Sequence, residues 1–416
     1  MKKLPQAVIL AAGESSRMFP YTDFSSHKSM IEVGGKPILQ YLLEELKKNG
    51  LKDIILVVNK NDADIQKYFK NGKELGLSLK YAFQKEPKGM GNALLAARNY
   101  IKSDFCVINP NHINLSEFLP STLRAFTLRY QGVLLGAKTK EPWRYGVLKT
   151  KGDKILEILE KPKRGKEPSQ IRVVGLYLLK KDFLNTLSKI PSQKYQLEVA
   201  LNQFFKKNQV RLLSTSKETL SLKYPLDLLQ VKEFLAKKLK RFVSPKASIS
   251  RYASLQGPVV VEEGARIFEG AVLKGPVYIG KNVVVGNYTL IRENTFLEEG
   301  VKIGAMNDIK NSLFMKNSSL HSVFIGDSII GENTKIGAGF VTANRRFDRG
   351  EIFAYFKKGK IPTGRNYLGA LIGNNVQIGI QCGTMPGVII GSNSIIYPGT
   401  MVYKNIPENS IIKKFS

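Results

Sequence analysis

The chain of 416 residues is long enough for two or three domains, and its 43% hydrophobic content fills ordinary cores. A formal charge of +30 attracts anions such as nucleotides, sugar phosphates and coenzyme A, but the basic residues are spread along the chain as a lysine-rich solvated surface, with local runs at 236–241 and 356–360, and no specific nucleic-acid partner is expected. Two cysteines, Cys106 and Cys382, make no disulfide framework, and no stretch approaches the ~18 apolar residues that cross a bilayer, so a cytoplasmic protein without a membrane partner is expected.

The opening MKKLPQAVILAAG has the basic start and apolar run of a signal peptide, but Pro5 interrupts it and GESSR ends it. Residues 7–12 therefore read as a buried strand, followed by the loop GESSRM and the helix PILQYLLEELKKNG. Strand IILVV (54–58), helix ADIQKYFK and strand LKYAF continue the alternation. That order predicts a largely parallel sheet wrapped by helices, with ligands at the carboxyl ends of its strands and phosphate-cradling amides in the first loop. Further on, PLDLLQVKEFLAKKLKRF sets Leu228, Val231, Leu235 and Leu239 on one stripe and predicts a helix that serves as a structural connector.

From Val243 onward every sixth residue is a branched aliphatic, through Ile249, Leu255, Val261, Ile267 and Leu273 to Ile309. The phase then slips and resumes at Ile330, Ile336, Ile372, Ile378, Ile390, Ile396 and Val402, often with Gly next. This is a hexapeptide repeat, in which each unit supplies one short strand and one turn, and three units close a triangular coil. Two interruptions stand out. The first, 317–327, carries the solitary His321, and the second, 343–371, is a basic and aromatic excursion of the kind that a rigid solenoid projects for function.

The hexapeptide half resembles the left-handed β-helix transferases. LHSVFIGDSIIGENTKIGAGFVTANRRFD, TGRNYLGALIGNNVQIGI and MPGVIIG resemble the acetyltransferase domain of the bifunctional glucosamine-1-phosphate acetyltransferase/N-acetylglucosamine-1-phosphate uridyltransferases, particularly their archaeal-type members. The resemblance implies a homotrimer that takes acetyl-CoA as cosubstrate and an amino-sugar 1-phosphate as acceptor. It makes His321 the general base, Arg292 and Lys310 the sugar-phosphate cations, and Asn344 the contact to the amino or acetyl end of the sugar. Phe324 replaces the family's phosphate-contacting Tyr, and Lys335 replaces an Asn of bacterial members; both alter substrate contacts and leave the base in place.

Residues 1 to about 240 resemble the sugar-1-phosphate nucleotidyltransferases through LAAGESSRM, HKSMIEVGGKPIL, FQKEPKGMGNAL, YGVL, ILEKPKRG, VVGLY and YPLDLL. On that match Arg17 and Lys28 are the catalytic, phosphate-binding cations, Gly13 lies in the nucleotide loop, Gln84 and Gly89 contact the base, and Glu160 contacts the sugar. Cations are required because in-line attack on the α-phosphorus builds negative charge. The family's metal-binding Asp is replaced: Pro110 and Asn111 stand for Gly-Asp, and the second ligand position aligns with Ser221. Asn111 is thus the remaining metal candidate, and Mg2+ is expected to be weakly held. Val173 replaces a sugar-contacting Asn, and His112 reads as a solvated loop residue.

Three domains are expected: an α/β nucleotidyltransferase-like domain at 1–225, a linker helix at 226–242 and the left-handed β-helix at 243–416. The first functional reading is an acetyl-CoA-dependent N-acetyltransferase of an amino-sugar 1-phosphate, acting toward UDP-N-acetylhexosamine, with a weakened or inactive nucleotidyltransferase domain. The alternatives are a fully bifunctional enzyme that also uses UTP, and a noncatalytic nucleotidyltransferase-like regulatory subunit.

Overall fold

A computed structural model describes residues 4–13, 15, 17–21, 27–60, 62–356 and 359–413. The chain divides into two compact units. The first comprises 1–15, 24–30 and 38–221; the second comprises 16–23, 31–37 and 222–416.

The first unit is built on a nine-stranded sheet. Strands Ser78–Gln84, Asp53–Asn59, Gln6–Leu10 and Phe105–Ile108 run parallel, and Ile171–Leu179 joins antiparallel beside Phe105–Ile108. Gln6–Leu10 is buried throughout because helices cover both faces of the sheet. Its alternate side chains enter two separate cores: Val8 and Leu10 on one face, Ala7 and Ile9 on the other. Helix Ile38–Lys48 buries Ile38, Leu39, Leu42, Leu43 and Leu46, the stripe expected of an amphipathic helix, and carries Lys47 and Lys48 in its last turn, where cations suit the helix dipole. The loops that follow the parallel strands all emerge at one edge, and that edge carries the candidate residues of this unit.

The second unit is a solenoid of three parallel sheets with eight, nine and eight strands. Val243 lies opposite Val261, and Val261 opposite Ile279, so the first coils contain three full hexapeptides each. The inward aliphatics, including Val261, Ile267, Leu273, Ile279, Val285, Ile291, Leu297 and Ile303, form one continuous core. Coil backbones approach closely enough that a Cβ on Gly286 would lie 2.5 Å from the Gly304 carbonyl, which is why glycine follows the inward aliphatic so often. Asn282, Asn294, Asn317, Asn333, Asn375 and Asn393 occupy positive φ at the corners, where Asn is the best tolerated residue after glycine. The excursion forms an antiparallel hairpin of Ile352–Phe356 and Gly359–Arg365.

Helix Asp227–Ala236 also belongs to this unit and ends before Leu239. It does more than connect. Lys232 is fully buried, with its ammonium donating to the Asn294 carbonyl and to Asn311 Oδ1 at 2.6 Å, while Glu233 grips Arg365 of the hairpin through two bonds of 2.9 and 3.2 Å.

Segment 31–37 is fixed to the solenoid by Glu298, which is 1% exposed and accepts from the backbone N–H groups of Gly34 and Gly35 at 2.6 and 2.8 Å. Burial raises its carboxyl from 4.5 to about 7, against the two N–H donors, with Glu32 adding to the rise and Lys316 opposing it. The folded chain therefore keeps a proton that the unfolded chain releases near pH 4.5, and stability falls as pH rises from about 4.5 through 7. Glu298→Gln, which carries no ionisable proton, should flatten this part of the melting temperature versus pH curve; a wild-type slope that survives the substitution would assign it to other groups.

Candidate active sites

In the second unit, Arg292 and Lys310 come from adjacent coils and Asn344 from two coils further on, all at one end of the same sheet, the one containing Leu290–Ile291, Asp308–Lys310, Phe324–Gly326 and Val341–Thr342. Arg292 bonds Asp308 Oδ2 at 2.8 Å, and its Nε is buried without a protein partner. Lys310 lies 3.5 Å from Asp327 Oδ2, and Asn344 Nδ2 donates to the same oxygen at 2.6 Å. Tyr367, from the end of the excursion, sets its ring 5.0 Å from Lys310 Nζ and 4.8 Å from the Arg345 guanidinium. A cluster of cations with unspent donors beside an amide suits an anion carrying a polar substituent.

His321 stands at the opposite end of the Phe324–Gly326 strand, roughly 10 Å along it by the rise of an extended chain. It is exposed and tethered through its backbone N–H to Ile336 O at 3.2 Å. It lines a groove of about 800 Å³ together with Lys302, Ser319, Lys335, Gln377 and Tyr397. The next residue, Ser322, lines a hollow of about 470 Å³ over the neighbouring sheet, with Asp308, Phe324 and Val341. His321 thus marks the corner between a long groove on one sheet and the outer face of the sheet that bears the cations.

The inward row explains why these residues gather here. Six residues separate Ile303 from Ile309, but only five separate Ile309 from Phe314, Leu320 from Ile325 and Ile325 from Ile330. The strands must still stack, so each missing residue is taken from a corner. Those three corners hold Lys310 and Asn311, His321, and Asp327. Sequence reasoning noted the phase slip and His321 but missed Asn311, Asp327 and Tyr367; the five-residue steps are the signal that would have found the first two.

In the first unit, Gly13 follows strand Gln6–Leu10, and a Cβ there would meet nothing within 4 Å, leaving the backbone open to a ligand. Lys28 is anchored by its backbone N–H to Ser15 Oγ at 2.8 Å. His27 beside it is buried, and desolvation first and Lys28 second lower its pKa to about 3, so it is neutral. Gln84 is buried and donates to Gly89 O at 3.1 Å and to Asn92 Oδ1 at 2.9 Å, which shapes the 84–89 loop. Gly89 needs its φ of 98°, a value that disfavours side chains. Glu160 ends strand Lys154–Glu160 and lies over Gly146, where a Cβ would sit 2.5 Å from Oε2. Arg17 is exposed in segment 16–23, which groups with the second unit.

The two positions expected to hold metal do converge: residue 112 forms a β-bridge with Ser221, one residue from the half-buried Asn111. Val173 lies two residues before Gly175, whose carbonyl accepts from Asn109 N at 3.3 Å. His112 corrects its expected place in solvent. It is 5% exposed, and burial, opposed by a bond to Val174 and reinforced by Arg172, lowers its pKa to about 4. The bridge to Ser221 draws it inward, and its Nε2 has no partner. An amide, a hydroxyl and a neutral imidazole do not suit Mg2+, a hard ion that favours carboxylate oxygen, and among the described residues no group of three or more His, Cys, Asp or Glu could hold a metal.

Residues 6–219 match the family "Nucleotidyl transferase", 273–346 the "GMPPB C-terminal domain" and 369–404 the "Bacterial transferase hexapeptide (six repeats)". The chain is 38% identical over 416 residues to the "Bifunctional protein GlmU" of Methanococcus maripaludis strain C7, covering 98% of this chain and 97% of that one. It is 32% identical to the "Bifunctional sugar-1-phosphate nucleotidylyltransferase/acetyltransferase" of Sulfurisphaera tokodaii, covering 98% and 100%. A solved structure of a putative glucose-1-phosphate thymidylyltransferase from Bacillus anthracis superposes with a TM-score of 0.51 at 22% identity, over 57% of this chain and 97% of that one, and supports the fold alone.

Gly326 forms the floor of the cation cluster: a Cβ there would lie 2.7 Å from Asn344 Nδ2 and 3.2 Å from Lys310 Cε. Both are movable side-chain ends, so Gly326→Ala should leave the melting temperature within about 2 °C while displacing the two groups. We expect KM for an amino-sugar 1-phosphate to rise about tenfold; an unchanged KM would show that this cluster does not bind it.

Proposed function

Because the chain belongs to the bifunctional sugar-1-phosphate nucleotidylyltransferase/acetyltransferase family, we propose that it carries out both transfers in succession. The second unit would move acetyl from acetyl-CoA to the amine of glucosamine 1-phosphate. The first would move uridylyl from UTP to the N-acetylglucosamine 1-phosphate so formed, releasing pyrophosphate. The full-length likeness to bifunctional relatives favours this over the expectation of a weakened nucleotidyltransferase.

The observation that carries the acetyl-transfer assignment is the corner position of His321, between the groove and the sheet that bears Arg292, Lys310 and Asn344. The cations take the phosphate. The groove, with Lys302 and Lys335 on its wall, takes the elongated anion acetyl-CoA. The amine then attacks the thioester carbonyl, the new C–N bond forms as the C–S bond breaks, and His321 accepts the proton that the nitrogen loses. Phe324, lacking the hydroxyl of a Tyr, leaves the phosphate to Arg292 and Lys310.

In the nucleotidyl transfer, Arg17 and Lys28 neutralise charge on the phosphates, Gly13 lets the nucleotide approach the backbone, Gln84 and Gly89 hold the base, and Glu160 holds the sugar. The neutral donors at Asn111 and Ser221 favour a second reading, an acetyltransferase with slow uridylyl transfer. The solenoid would form a homotrimer, a reading supported by Tyr252, Tyr288 and Met306, which stand exposed at the corner turns of its coils.

His321→Ala should lower coenzyme A release by about a hundredfold or more, the scale of a lost general base. Pyrophosphate release from UTP and N-acetylglucosamine 1-phosphate should remain at the wild-type rate. A folded variant that still acetylates at the wild-type rate would remove His321 from the mechanism.

A further inference from the structure

Asp327 is 4% exposed, yet it lies among the groups assigned to the sugar phosphate. Its Oδ1 accepts from Asn311 Nδ2 at 2.7 Å, and its Oδ2 accepts from Asn344 Nδ2 at 2.6 Å and lies 3.5 Å from the Lys310 ammonium. The backbone is fixed as tightly: its N–H donates to Lys310 O at 3.0 Å, and its carbonyl accepts from Gly369 N at 2.9 Å. The residue sits in the left-handed region, φ 51°, at one of the shortened corners. We propose that Asp327 is a positioning residue for acetyl transfer, setting the place of Lys310 and the orientation of the Asn344 amide.

The chemistry of the carboxylate carries the argument. An ionised carboxylate only accepts hydrogen bonds, so each amide facing it must present its NH2 end. Asn344 is therefore obliged to turn its carbonyl oxygen away from Asp327, where it can accept from the N–H of the substrate's amine or of the amide that the reaction creates. A neutral or donating group at 327 would allow the amide to rotate and present NH2 instead, which cannot accept from a substrate N–H. The same carboxylate draws Lys310 toward Asn344, and the Tyr367 ring limits the lysine on another side.

Support extends behind the site. Asn311 cannot turn its own amide, because its Oδ1 accepts from Lys232 Nζ at 2.6 Å while its Nδ2 serves Asp327. Lys232 is in turn immobilised by burial and by the Asn294 carbonyl. A row of hydrogen bonds thus runs from the helix Asp227–Ala236 through Asn311 and Asp327 to Asn344, and the Asp327 carboxylate adds an ion pair to Lys310. With its carboxylate oxygens engaged and its side chain 6% exposed, Asp327 acts through these neighbours and does not contact substrate.

The inference rests on the acetyl-transfer reading, and its test separates the two. Asp327→Asn is nearly isosteric and tolerates positive φ, so it removes the charge and one acceptor while keeping the corner. In the full chain, we expect KM for glucosamine 1-phosphate to rise at least tenfold, with KM for acetyl-CoA and the uridylyl-transfer rate unchanged. Calorimetric binding of glucosamine 1-phosphate alone should weaken by the same factor. An equal KM for glucosamine 1-phosphate in wild type and variant overturns the role of Asp327 while leaving acetyl transfer standing. A joint loss in both substrates together with a fall in melting temperature also overturns it, in favour of a structural role. Should Asp327→Asn not fold, Asp327→Ser decides by the same split between the two KM values. A wild-type chain that releases no coenzyme A with glucosamine 1-phosphate ends the acetyl-transfer reading itself.

Discussion

The second unit depends on one constraint: every coil must lay its three short strands directly over those of the coil before it. The hydrogen bonds between coils run the length of the solenoid, and the inward aliphatics pack only while that register holds. A strand cannot shorten without leaving buried backbone groups unpaired, so variation in coil length is confined to corners and excursions. The residues proposed for acetyl transfer collect there for the same reason. The three five-residue steps bring Lys310, His321 and Asp327 to neighbouring corners, and the excursion adds Tyr367 to the Lys310 cluster without disturbing the strands on either side, since Ile330 still pairs with Ile372.

The charged groups most deeply buried beside this apolar stack are tolerated because they are paired. Lys232, Asn311 and Asp327 form a continuous hydrogen-bonded row, and Glu298 meets two backbone N–H groups. Each would cost several kcal/mol if left unpaired in a low-dielectric interior. Their arrangement gives the corners a rigid polar backing, and the site proposed to hold a phosphate and an amine in fixed relation would gain from donors that do not reorganise. The first unit reaches the same end differently, with loops after parallel strands held by short local bonds such as Lys28 N to Ser15 and Gln84 to Gly89.

Much of this was legible in the sequence because it rests on periodicity and on local motifs. The sixfold aliphatic repeat announced the solenoid, and alternating strands and helices announced the sheet. Residues whose role depends on distant partners were harder. Lys232 reads as one more polar position on an amphipathic helix, and only the packing of that helix against residues 294 and 311 shows it buried. His112 reads as a loop histidine, and its burial follows from a bridge to a residue more than a hundred positions away. Asp327 sits in an ordinary Gly-Asp corner, and its three side-chain partners lie on two other coils. In each case the decisive contact is long-range; the five-residue step marks the corner of Asp327 but not the partners it meets there.

The most direct test supplies the purified full chain with acetyl-CoA, glucosamine 1-phosphate, UTP and Mg2+ and resolves every product over time. Coenzyme A should appear first and pyrophosphate follow, with the pyrophosphate step restored in the absence of acetyl-CoA by adding N-acetylglucosamine 1-phosphate. Coenzyme A released with no pyrophosphate, even when the acetylated sugar phosphate is supplied, would contradict the claim that both transfers reside in this one chain.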